Sequence, residues 1–163
     1  NDSDRSSMAA KGGAAAFCPT SNLFLGSGLF DLPAMRAANI RCGLGTDVGG
    51  GTSLSLLKTA SEAYKVLHLQ EHALPATRAL YLATLGAAET LYLDHCIGNF
   101  VPGKEADFVV LDPAGSSLTA RRVAAAETVD EKLFALITLG DDRNVSATYV
   151  RGKRQSAAKS PGS

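Results

Sequence analysis

Apolar and polar positions alternate between two periods along this chain. Ala14 to Cys18, just before Pro19, is a short apolar run that predicts a strand entering a loop. The segment "SNLFLGSGLFDL" then mixes Ser, Asn and Gly turn signals with large apolar residues, which predicts a connection. Asp31 is placed as an N-cap, with Pro33 early in a short helix ending near Asn39. Ile40 to Leu44 predicts a second, buried strand. Leu54, Leu57, Ala60, Ser61, Tyr64, Leu67 and Leu69 come next at roughly helical spacing, with Thr52 or Ser53 as the cap. Pro75 opens another helix carrying Ala79, Leu82, Ala83 and Leu85, and Ala87 to Leu93 predicts one more.

Beyond residue 97 the pattern changes. "IGNFVPGKEADFVVLDP" joins a Gly/Pro turn to a strand over Asp107 to Leu111, Val129 to Leu139 is helical, and Ser146 to Val150 is a last strand entering a turn at Arg151 and Gly152. The ends, 1–13 and 156–163, are small, polar and aperiodic and are expected to be unstructured tails, the first unrelated to the rest. The cadence is that of an α/β fold, 14–97, with a small β segment and return helix, 98–155.

Composition narrows the function classes. Sixteen basic and sixteen acidic residues cancel, no basic block is present and aromatics are few, so neither a nucleic-acid groove nor an anionic membrane surface is expected as partner. No apolar stretch approaches the ~20 residues that cross a bilayer. Cys18, Cys42 and Cys96 lack the spacing of a zinc motif or a disulfide scaffold, and a cytoplasmic setting is expected.

The candidate chemistry centres on Asp47 in "RCGLGTDVGGGTS", at the C-terminal end of the second strand among glycines that permit unusual turns. A carboxylate there is a ligand or base if the strand belongs to an α/β barrel, and a turn residue otherwise. "HLQEH" offers a second candidate: His68 and His72, four apart, with Glu71 beside them, match the pattern of an inverted zinc peptidase, and a solvated helix terminus explains them equally. Ser27 and Ser53 lie in no nucleophile elbow, and Gly49 to Thr52 lacks a phosphate-loop lysine. Ser21 and Asn22 are read as loop-fixing residues near the strand exit. Lys104, Glu105, Asp107, Asp130, Glu131, Lys132, Asp141 and Asp142 are assigned to turns, caps and connections.

Taken in order, "FCPTSNLFLGSGLFDL", "GLGTDVGGGTSLSLLKTASEAYKVL", "ATLGAAETL", "IGNFVPGKEADFVVLDP" and "DEKLFALITLGDDRNVSATYVRGK" closely resemble the C-terminal part of the guanine deaminases, metal-dependent hydrolases of the amidohydrolase superfamily. The resemblance implies the last two strands and helices of a (β/α)8 TIM-like barrel plus part of a β-sandwich. It implies that Asp47, on the eighth strand, is at once zinc ligand, proton-transfer residue and contact to the substrate guanine. The reaction implied is hydrolytic deamination of guanine to xanthine and ammonia, in a homodimer holding one zinc per chain.

The family's histidine ligands, its general-acid glutamate and its purine-reading residues have no counterpart in the matched region. A complete barrel takes ~250 residues, so the chain is expected to be a fragment, inactive alone. The alternatives are a non-catalytic dimerisation module derived from an amidohydrolase and, more remotely, a zinc peptidase using His68, Glu71 and His72.

Overall fold

Two four-residue strands, β1 (Ala14–Phe17) and β2 (Arg41–Leu44), lie side by side and parallel, paired from Ala14 with Arg41 to Phe17 with Leu44. The computed structural model describes residues 1–155; the expected tail at 156–163 lies outside the described residues. Parallel neighbours need a crossover, and here it is helical: α2 (Pro19–Leu25) leaves the C-terminal end of β1, and α3 (Leu32–Ala37) leads back to the start of β2. Asp31 caps α3 as expected, its carboxyl accepting from the Ala34 amide at 2.9 Å.

Helix α2 departs from the connection expected over 19–30. Pro19 stands in its first turn, where a missing N–H is no loss, and Gly26 ends it in the left-handed region at φ 68°. The Asn and Ser that signal a turn are therefore inside a helix or just beyond it. The N-terminus differs likewise: residues expected to be aperiodic form α1 (Asp2–Ala10). Asn1 and Asp4 build a reciprocal capping box at its start, and Met8 and Ala9 pack against the core.

After β2 come α4 (Leu56–His68), α5 (Ala76–Ala83) and α6 (Leu85–Thr90). The cap of α4 is Ser55, whose hydroxyl accepts from the Lys58 amide, rather than Thr52 or Ser53. Thr59, Ala60, Ala63, Val66 and Leu67 form the buried stripe of α4. This stripe meets Phe17, Cys42 and Leu44 from the strands and Leu74, Ala76, Ala79 and Leu82 from the α5 region in one core. Helix α6 lies directly on β2. A Cβ on Gly43 would fall 2.5 Å from the Ala87 Cα, so only glycine allows this approach.

The second sheet is antiparallel in the order β3 (Phe108–Leu111), β4 (Val145–Val150), β5 (Lys153–Arg154). The rings of Phe108 and Tyr149, cross-strand partners, stack at 4.5 Å. Between β3 and β4 run α7 (Ser117–Ala124), which the hydrophobic pattern does not predict, and α8 (Val129–Leu139), which it does. Both begin with a capping box, and α8 packs on α4 and α5. Buried Asn144 ties these elements together, its side-chain amide donating to the Asp112 carbonyl at 2.7 Å and to Thr119 Oγ1 at 3.2 Å. No helix among the described residues is long and apolar enough to cross a membrane.

The contact at Gly43 is a sharp test of this packing. Gly43→Ala forces β2 and α6 apart, and we expect a loss of about 1–3 kcal/mol in equilibrium urea unfolding. An unchanged midpoint would mean that α6 does not seat on β2.

Candidate functional site

Because β1 and β2 are parallel, the chain leaving each emerges at the same end of the sheet. From β2 it runs through Gly45 and Thr46 to Asp47, whose φ of 47° lies in the left-handed region that Asp tolerates better than most residues. The turn closes tightly: the Gly51 amide donates to the Asp47 carbonyl at 2.5 Å, and a Cβ on Gly51 would sit 1.8 Å from the Thr46 carbonyl oxygen. From β1 the chain enters α2, whose first turn buries Thr20 and Ser21.

Ser21, 2% exposed, donates its hydroxyl to Asp47 Oδ2 at 2.6 Å. Thr20 reaches the Thr46 carbonyl at 3.5 Å. Gly50 closes over the pair, with a notional Cβ only 2.7 Å from Ser21 Oγ and 3.3 Å from Asp47 Oδ2. One carboxyl oxygen of Asp47 is thereby fastened from beneath. The residue itself is exposed, and Oδ1 accepts no hydrogen bond among the described residues. A carboxylate held by one oxygen and open at the other suits a metal ion or a proton. The nearby Cys18 thiol is pushed up from its ordinary value, first by burial and then by the charge of Asp47.

Asp47 thus stands where the sequence placed it, at a strand's C-terminal end. Its partner is Ser21, a residue that the sequence pattern assigns to a loop; the Pro19 that starts a helix directly after a strand is the signal that could have placed it. The peptidase candidates are not brought together. Helix α4 ends at His68, Glu71 has a left-handed φ of 62°, and His72 lies beyond it, so the three do not share a helical face. His68 instead stacks on Tyr64 at 5.4 Å. Among the described residues no three His, Cys, Asp or Glu side chains converge to hold a metal ion. Among the described residues Asp47 therefore stands without a second carboxylate, imidazole or thiol pair that would complete a metal site with it.

A carboxylate just beyond the C-terminal end of a parallel strand stands where α/β barrels carry their site residues. The chain matches the amidohydrolase family over residues 2–154 and is a member of it. Within that family it is homologous to the guanine deaminases. The guanine deaminase of Escherichia coli (strain K12) is 54% identical over 138 residues, covering 85% of this chain and 31% of that protein. The solved structure of E. coli guanine deaminase superimposes with a TM-score of 0.94 at 47% identity, over 97% of this chain and 37% of that one. The crystal structure of guanine deaminase from Bradyrhizobium japonicum does so with a TM-score of 0.87 at 39% identity, over 97% of this chain and 40% of that one. The chain spans about a third of the length of these relatives.

Ser21→Ala removes the bond that fastens Asp47. Because Asp47 is open to water on its other side, we expect a stability loss of about 1 kcal/mol. The Asp47 side-chain carboxyl resonance in NMR should shift toward that of a freely rotating aspartate. A resonance identical to that of the parent would show that Ser21 does not hold it.

Proposed function

We propose that this chain is the C-terminal part of a guanine deaminase, contributing the last two strands of its barrel and a segment of its β-sandwich, with Asp47 as metal ligand and proton carrier. The observation that carries the reading is Asp47 itself, fastened through Oδ2 and open at Oδ1 at the end of β2, in a chain 54% identical to such an enzyme.

Zinc, the metal implied by the resemblance, supplies when bound the acidification of a water molecule toward neutral pH. Asp47 Oδ1, which accepts no hydrogen bond among the described residues, would be open to touch the ion or to accept the proton that water gives up. Water adds its oxygen to the amino-bearing carbon of guanine, and the carbon–nitrogen bond breaks. The proton held on Asp47 passes to the departing nitrogen, so guanine and water become xanthine and ammonia. Ser21 keeps the carboxylate in one orientation throughout.

A catalytic zinc usually takes several protein ligands, so the chain is proposed to be inactive alone and to act with side chains from outside it. The exposed apolar side chains support this: Leu54 and Phe100 are each 81% exposed and Phe24 68%, a distribution that suits a covered surface. A second reading, a non-catalytic module that pairs with another copy, draws on the same surface and on the open outer edges of β1 and β2, which have no other strand partner among the described residues.

The discriminating experiment is a hybrid in which residues 14–154 replace the equivalent C-terminal part of the E. coli relative. We expect ammonia release from guanine by the hybrid, about 10²–10⁴-fold less with Asp47→Asn, and none from the 163-residue chain alone. A folded, zinc-loaded hybrid that releases no ammonia would overturn the deaminase assignment and favour the pairing module.

A further inference from the structure

The opposite end of the β1–β2 ladder carries a feature that guanine deamination does not use. Here α3 returns toward the start of β2, and the loop from α4 descends into α5. Between them lies a cleft of about 690 Å³ lined by Arg36 of α3, Arg78 of α5 and His72 of the loop, with apolar residues completing its walls. No carboxylate lines it.

Neither guanidinium has an anionic partner. Among the described residues, the ion pairs and side-chain hydrogen bonds include neither Arg36 nor Arg78. Arg78 Nε is buried and unbonded, an expensive state for a charged donor. Its guanidinium carbon lies over the Tyr81 ring, 4.4 Å from the centroid. Glu89 is engaged by the Tyr81 hydroxyl. Helix α5 also opens here: Pro75 is its N-cap and gives no side-chain acceptor to the amides of the first turn. Two guanidiniums and an imidazole thus line one cavity. That is the donor set for an anion with several oxygens.

We propose that this cleft binds a small oxyanion, a phosphate or carboxylate group, held by Arg36 and Arg78 with His72 beside them. The site is independent of the role of Asp47, which lies beyond the other end of the strands. Its two sources are a free phosphate and a carboxylate side chain of a polypeptide, and both offer the same oxygens.

The test titrates inorganic phosphate, and separately acetate, into the 163-residue chain at constant ionic strength balanced with sodium chloride. The Arg78 Nε–H resonance and the thermal unfolding midpoint are followed. An anion that binds only the folded form raises the folded fraction, so a marginally stable chain reports the same site. We expect a saturable shift with phosphate, and affinity about tenfold weaker in Arg36→Gln and in Arg78→Gln. Lys58→Gln, on another face, should change nothing. Phosphate binding more tightly than acetate points to a free phosphate, and equal binding to a side-chain carboxylate; either supports the site. Phosphate salts also stabilise proteins nonspecifically. Hence a rise of equal size in both arginine variants, a response that does not saturate, or no response at all would each overturn the proposal.

Discussion

The pairing of β1 with β2 is the constraint on which the rest depends. Parallel strands send their outgoing loops from the same end, so Phe17 opposite Leu44 brings the start of α2 beside the turn after β2. Ser21 and Asp47, distant in sequence, meet at 2.6 Å as a consequence of that register. An antiparallel arrangement would have put them at opposite ends. Fully buried Phe17, stacked on Phe30 at 4.8 Å, and the contact of α6 with Gly43 hold the register in place.

The same ladder separates charge along its axis. The carboxylate of Asp47 stands beyond the C-terminal end, and Arg36 and Arg78 converge toward the N-terminal end. The chain's formal neutrality conceals this because the sums cancel over its length. Burial raises the Cys42 thiol while both guanidiniums oppose the rise, which places Cys42 within the reach of their field. Elsewhere charge is spent locally: Arg143 holds the Asp141 carboxyl down at about 2, and Arg151 pairs with Glu105.

How much of this could be read from the sequence depends on which force fixed each element. Strand β2 and helix α8 were legible because their apolar runs are long enough to declare a period. Asp47 was legible because glycines bracket it. Helix α2 was not, since its Ser and Asn serve turns as readily as first helical turns, and tertiary contact with the Asp47 loop decides between them. Helix α1 was hidden by its serines and acids, of which Asp4 completes a capping box with Asn1 at the start. The His68 and His72 match failed for the opposite reason: a spacing of four residues means one face only while the helix continues, and the Leu67 carbonyl, which accepts from the His72 amide at 2.9 Å, closes a turn there instead.

The parts that position the Asp47 carboxylate lie close together in the chain. The residue that orients Asp47, the glycines that let its loop close and the strand that carries it all lie between Phe17 and Gly51. Asp47 Oδ2 is held by a contact within the chain, the Ser21 hydroxyl. A side chain fastened in this way has little freedom left to lose on any later contact, because the cost of ordering it is met during folding. The parallel ladder therefore sets how Ser21 meets Asp47, through contacts that the chain makes on its own.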